Sequence, residues 1–327
     1  MKKKLSLNPI CEDLKKKINK DIKLITKNLK KIKSKDLFNN PNDKILMLEN
    51  LRFYKEEEEN DDEFAKHLAS LADIYVNDAF SCSHRAHASV FKITKFLPSY
   101  SGLQLNLEID ALTKITSKIK KPVTCIIGGS KISTKMNIIK NLIPKFDNIV
   151  IVGGMANNIF KYKGYNIGKS INEDNCDQLI EEIFSLSKKK NCKIIYPEDV
   201  AVGKNLNGSP IIKEINKVSQ DDLILDIGPK SIQVINSLIE KSETILWNGP
   251  AGYFENPNFA KGSNEIAKKI IEKNKNNTIY SVAGGGDTVA LLNNLNAFNN
   301  FDFVSTAGGA FLEYLEGKEL PGIKALN

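Results

Sequence analysis

The stretch "VTCIIGGSKISTK", residues 123–135, carries the pattern on which the fold turns. Five mostly apolar residues run into Gly128 and Gly129, followed by Ser130, Lys131 and, four positions on, Lys135. The apolar run suits a buried strand, and glycines at its end let backbone N–H groups approach a ligand with no side chain between. A helix starting there adds a partial positive charge at its first turn. Lysines four apart lie one above the other on a helix and add two full charges. Phosphate suits such a corner. The pattern is neither the P-loop GxxxxGK[ST] nor GxGxxG, and taken alone it reads as readily as a tight turn with surface lysines.

Three further corners alter that balance. "VGGMA" (152–156), "AGGGDT" (283–288) and "TAGGA" (306–310) each follow a strand-like run. Glycine corners gathered in one half of a chain point to a shared ligand. "AGGGDT" adds Asp287 and Thr288 directly after its turn. A carboxylate beside phosphate is the usual anchor for Mg2+, although Asp287 is equally placed to cap the next helix. "LWNGPAGYFE" (246–255) holds the chain's single Trp, with Asn248 as a candidate amide contact and Glu255 as an acceptor for sugar hydroxyls. A packed β-turn is the plainer reading.

The first half differs. "KILMLENLRF" (44–53) and "ADIYVNDAF" (72–80) read as strands flanking the helical "DDEFAKHLASLA", a βαβ unit that predicts a parallel sheet with ligands at the strand ends. "NPICEDLKKKINKDI" carries a helix start, with Asn8 as cap and Pro9 in the first position. "EEEEND", Glu56 to Asp61, reads as an exposed loop or helix start. Arg52 and Arg85 each lie past a strand end, where both could clamp a small anion; solvated surface arginines are the plainer reading. His84 and His87 lack a Cys or carboxylate partner at metal-site spacing. A long helix is predicted over 105–119.

The bulk properties of the 327 residues narrow the class. Net charge is +8, but residues 1–35 hold 13 Lys and three acids, +10, which leaves −2 for the rest. That excess sits in a segment without aromatic residues for base stacking, so nucleic acid is not expected. No apolar run has the length of a membrane span, and no signal core follows the Lys-rich start, so a cytoplasmic protein that engages no membrane is expected. Five cysteines lie far apart with no CxxC pair, which favours reduced thiols. Cys125, just ahead of the Gly129 turn, reads either as redox-sensitive or as a buried inert thiol.

Taken together, "MLENLRFY", "YVNDAFSCSHRAHAS", "GGSKISTK", "GGMA", "LDIGPK", "WNGPAGYFE", "GGGDT", "STAGGA" and "LEGKELPGIKAL" resemble the phosphoglycerate kinase family in that order, from about residue 5 onward. The resemblance implies an α/β fold of two Rossmann-like, doubly wound parallel-sheet domains joined by a helix. It divides the chain into an N-terminal 3-phosphoglycerate-binding domain at 1–100 with 310–327 packing back on it, a linker helix at 101–119, and a nucleotide-binding domain at 120–309. It implies reversible phosphoryl transfer between 1,3-bisphosphoglycerate and Mg-ADP, giving 3-phosphoglycerate and ATP, by a monomer that closes about hinges. Lys131 resembles the lysine supporting the transferring group, and Gly285, Gly286 and Gly308 the glycines near it. Gly129, Lys135, Gly153, Gly154, Asn248, Glu255, Asp287 and Thr288 resemble nucleotide contacts, with Asp287 the Mg2+ anchor. Arg52 and Arg85 match two arginines of the substrate patch.

Departures accompany the match. The family's opening "VDFNVP", "TRI" and "SHLGRP" do not occur, so the N-terminal domain is expected to lack its first strands and most of its substrate patch. Ser130 stands where Ala is usual, and Ala307 where Gly is usual. A non-catalytic nucleotide-binding protein derived from a kinase is the alternative. The expectation for the 327-residue chain is that it binds Mg-ADP but fails to turn over; measurable flux in a coupled assay would overturn it.

Overall fold

The computed structural model describes residues 2–37 and 44–326; positions 1, 38–43 and 327, which the expected domain limits include, lie outside it. Two compact units result, 1–106 with 319–327 and 107–318. Residues 319–327 belong with the first unit, while 310–318 stay in the second.

The first unit runs α1 (Asn8–Ile18), β1 (Lys23–Ile25), β2 (Leu46–Leu48), α2 (Lys55–Glu58), α3 (Asp62–Ala69), β3 (Tyr75–Asn77) and β4 (Ser99–Ser101). Its strands form two separate parallel pairs, β1 with β2 and β3 with β4. The βαβ reading made β2 and β3 partners in one sheet; among the described residues no ladder joins them. Each three-residue strand has room for only a few bonds, and each spends them on a different neighbour. The core gathers Leu29, Leu68 and Phe64, which stacks on Tyr54 at 5.4 Å.

Two local readings change. Leu7, not Asn8, precedes α1, and Asn8 is the first helical residue with Pro9 in the first turn. "EEEEND" is not all solvated. Glu57 is 2% exposed and accepts from the Ser89 N–H at 3.0 Å and hydroxyl at 2.6 Å, tying α2 to the "HRAHAS" loop. Asp61 caps α3 by accepting from the Phe64 N–H at 2.8 Å.

The helix predicted over 105–119 is α4 (Leu103–Thr116), and the boundary between the units falls within it. The second unit continues with β5 (Val123–Ile127), α5 (Met136–Leu142), β6 (Asn148–Ile151), α6 (Gly154–Tyr162), α7 (Asp177–Lys190), β7 (Lys193–Ile195), β8 (Asp199–Gly203), β9 (Ile211–Glu214) and β10 (Leu223–Ile227). After these come α8 (Pro229–Lys241), β11 (Thr244–Asn248), α9 (Lys261–Lys275), β12 (Tyr280–Gly284), α10 (Gly286–Asn294), β13 (Phe303–Ser305) and α11 (Gly309–Leu315). Six parallel strands lie in the order β13-β12-β11-β5-β6-β7. Chain order reverses between β5 and β11, and in such sheets the ligand crevice opens at that switch point. Both central strands are buried throughout, which their unbroken apolar runs require. A second sheet, β10-β8-β9, is antiparallel and was not legible beforehand.

At the switch point the chain comes too close for side chains. A Cβ on Gly128 would sit 2.2 Å from the Pro250 carbonyl oxygen. One on Gly249, at φ +102°, would sit 2.3 Å from the Gly128 oxygen. Trp247 locks this crossing by donating from Nε1 to the Gly249 carbonyl at 2.8 Å, fully buried in the core between the sheet and its helices.

Among the acids buried in this unit, one lies on α4. Glu108 of α4 is 3% exposed, and one of its oxygens lacks a partner. Burial raises its carboxyl to about 7, against the opposing hydrogen bond from the Ser305 hydroxyl. The folded state thus favours neutral Glu108. Its contribution is fully present below the unfolded value near 4.5 and is lost as pH rises through about 7. Glu108→Gln is therefore expected to raise the melting temperature at pH 8 and leave it nearly unchanged below pH 5; equal melting curves for both proteins at pH 8 would refute this.

Candidate active site

The two strand ends at the switch point build the site. After β5 the chain passes through Gly128 and Gly129 into the turn Ser130–Lys135 and then α5. After β6 it passes through Gly153 into α6, where the Met155 N–H donates to the Gly129 carbonyl at 2.9 Å. The Gly153 N–H donates to the Ala251 carbonyl at 3.1 Å, so the first, second and Trp-containing corners are stitched together by backbone. They open into a cleft of about 330 Å3.

Gly129, Gly153, Gly154, Glu255 and Asp287 all line this cleft. Its opposite wall is apolar, with Ile171, Leu206, Leu225 and Tyr253. An apolar slot beside a glycine-walled end suits a flat ring attached to a phosphate chain. These wall residues come from four separate segments; Leu225 and Tyr253 fall within quoted motifs and Ile171 and Leu206 do not, and only the fold brings the four together. Asp226 also lines the cleft. Burial raises its carboxyl to about 7, even though the Gly262 and Ile227 N–H groups and Lys261 oppose the rise. Its oxygens accept from those two N–H groups at 2.7 and 2.9 Å, which joins β10 to the start of α9.

Lys135, Asn248, Gly285 and Thr288 form a polar layer at the strand ends. Asn248 is 2% exposed. Its Nδ2 donates to the Gly284 carbonyl at 2.6 Å and its Oδ1 accepts from Lys135 Nζ at 2.5 Å. Burial depresses the Lys135 ammonium, while Cys125, Asp287 and Glu316 oppose that depression. A half-buried lysine whose charge is disfavoured by desolvation has reason to take an anionic ligand. Thr288 is fully buried, and its Oγ1 accepts from the Gly249 N–H at 2.7 Å. Its hydroxyl proton remains the group it has to offer a phosphate. Gly285 precedes α10, whose first turn holds Gly286 and the exposed Asp287.

Lys131 is exposed at the head of its turn. Gly308 precedes α11 with open space where a Cβ would stand, and the neighbouring Ala307 is buried with its N–H on Ser305 Oγ at 3.3 Å. Cys125 is buried in β5, and burial pushes its thiol far above the ordinary range, so the inert reading of this cysteine is the one the structure supports.

In the first unit, Arg52 donates from a terminal nitrogen to Glu58 at 2.7 Å and Arg85 from Nε to His84 Nε2 at 3.2 Å. Burial depresses His87, and the charges of Arg52 and Arg85 both depress it further, against Glu57 and Glu58. Both guanidinium groups thus act on one neighbourhood. No group of three or more His, Cys, Asp or Glu that could cage a metal occurs among the described residues. A cation at Asp287 would complete its shell with phosphate oxygens and water, which suits Mg2+.

Comparison with known proteins agrees with this geometry. The family model described as phosphoglycerate kinase matches residues 1–318. A phosphoglycerate kinase of Wolbachia pipientis subsp. Culex pipiens is 44% identical over 323 residues, covering 98% of this chain and 82% of that protein. One of Dictyoglomus turgidum is 43% identical over 324 residues, covering 98% and 81%. The solved structure of phosphoglycerate kinase from Coxiella burnetii superposes with a TM-score of 0.89 at 39% identity, covering 98% of this chain and 80% of that one.

Asn248→Ala would strand the buried Gly284 carbonyl and the half-buried Lys135 ammonium. The expected cost is about 1–3 kcal/mol of unfolding free energy, seen as a lower denaturant midpoint. An unchanged midpoint would show that the Lys135–Asn248–Gly284 bridge carries no stability.

Proposed function

Because the chain belongs to the phosphoglycerate kinase family, we propose that its second-unit cleft is the seat of the adenine nucleotide and that its glycine corners serve the phosphoryl group in transit. The protein is a glycolytic phosphotransferase, acting between ADP or ATP and 3-phosphoglycerate or 1,3-bisphosphoglycerate. The convergence of Gly129, Gly153, Gly154, Glu255 and Asp287 on one cleft supports the assignment of roles.

On this reading the base lies in the apolar slot and Glu255 accepts from the ribose hydroxyls. Backbone groups at Gly129, Gly153 and Gly154 admit the nucleotide closely. Lys135, held by Asn248, carries its charge to the phosphate chain, and the Thr288 hydroxyl donates there. Lys131, with Gly285, Gly286 and Gly308, attends the group being moved. Arg52 and Arg85 hold the phosphoglycerate. Asp287 would anchor Mg2+, which would supply positive charge against the phosphate groups.

The acceptor is a carboxylate in one direction and a β-phosphate in the other. Each is already ionised at neutral pH, so no general base is needed. The chain's own groups then have two tasks, alignment of donor and acceptor and stabilisation of charge on the moving group. The reading extends to a cytoplasmic monomer that binds no nucleic acid, with the basic excess confined to residues 1–35 in support. No helix among the described residues is long and apolar enough to cross a membrane.

Calorimetric titration with Mg-ADP tests the nucleotide site. Lys135→Ala is expected to weaken binding by about tenfold or more, the loss of a charge-assisted bond. Asp287→Ala is expected to abolish the difference between binding with Mg2+ and binding in chelator. Absence of heat with the folded wild-type chain would remove the reading.

A further inference from the structure

Lys131 is exposed and Lys135 half-buried on one turn, and an anchor outside that turn would hold the spacing between them constant. The segment 170–174 crosses from the cleft wall to that turn. Its backbone is fixed on α6. Asn157 Nδ2 donates to the Ile171 carbonyl at 2.9 Å, the Glu173 N–H donates to Asn158 Oδ1 at 2.8 Å, and Lys161 Nζ donates to Asn172 Oδ1 at 2.9 Å. Ile171 covers Gly154 so tightly that a Cβ there would come within 2.7 Å of its Cδ1.

Two residues further, the side chain of Glu173 reaches the lysine turn. Its Oε2 accepts from the Ser133 N–H at 2.9 Å and its Oε1 from the Ser133 hydroxyl at 2.6 Å. Burial alone would raise this carboxyl, but the Ser133 and Ile132 bonds and the Lys131 charge hold it below its ordinary value. It is therefore ionised at neutral pH. Ser133 lies midway between the two lysines in sequence, so a clamp there restrains both.

We propose that Glu173 is a positioning residue for nucleotide binding: its carboxylate clamps the Lys131–Lys135 turn to α6, fixing the lysines against the glycine corners before the ligand arrives. A turn ordered in advance loses less freedom when phosphate binds, so the clamp acts on affinity. The inference rests on the nucleotide reading of the cleft given above.

The test is Mg-ADP titration of the full chain as wild type, Glu173→Ala, Glu173→Gln, Ser133→Ala and the Glu173→Ala/Ser133→Ala double variant, with melting curves for each. Glu173→Ala is expected to raise Kd about tenfold, the scale of lost bonds to a charged acceptor. Its melting temperature is expected to move by less than about 2 °C. Glu173→Gln, which keeps an acceptor oxygen, recovers part of the affinity. The double variant binds no worse than Glu173→Ala, because both lesions break one clamp. Wild type binding with an unaltered Glu173→Ala Kd overturns this inference alone. So do strictly additive losses, or a weakened Kd that follows a large fall in melting temperature. A wild-type chain that does not bind Mg-ADP overturns both this inference and the reading beneath it.

Discussion

Everything at the site depends on how closely the backbone passes itself at the switch point between β5 and β11. Gly128 and Gly249 meet there at distances no Cβ could occupy. The consequences spread outward. Trp247 caps the crossing from inside the core, Thr288 accepts the Gly249 N–H, and Asn248, the last residue of β11, has its amide directed at Gly284 and Lys135. A side chain at either glycine would wedge the strand ends apart and carry Lys135 away from Asp287. The glycines thus serve packing first, and the open cleft is what that packing leaves.

The polar groups around the crossing have two different fates. Those deep in the unit, Asn248, Thr288 and Asp226, are paired with backbone N–H or C=O groups and act as structural ties. Those at the rim, Lys131, Glu255 and Asp287, are exposed and available to a ligand. Lys135 belongs to both sets. Its stem is drawn into the unit, its ammonium rests on Asn248, and burial keeps its charge only weakly satisfied. On the reading proposed above, a phosphate chain would supply the missing counter-charge.

Much of this was legible in the residues. The apolar run Val123–Ile127 ends where β5 ends, and each Gly-rich corner follows a strand as its pattern indicated. Other features were not legible. "EEEEND" looks solvated by composition, yet Glu57 is buried, because its partner Ser89 lies 32 residues away and no local pattern announces it. Half of the cleft's apolar wall was equally silent: Ile171 and Leu206 lie in loops that no quoted motif touches, and their meeting with Leu225 and Tyr253 depends on the tertiary fold. The β2 and β3 runs were read as one sheet, whereas strand pairing is settled by which edges meet in space, and each found another neighbour.

By itself the sequence determined which chemistry was possible: glycine corners, two lysines four residues apart, which the structure puts on the turn ahead of α5 and not on a helix, an acid after "GGG", and the ordered motifs of a kinase family. These are local or linear properties, set by backbone freedom and side-chain type. The tertiary structure alone decided which corners share a cleft, which hydroxyl is buried as a tie, and which carboxylate, Glu173, holds the lysine turn. Those outcomes depend on distances between segments far apart along the chain, and such distances are fixed only when strand order and burial are settled together.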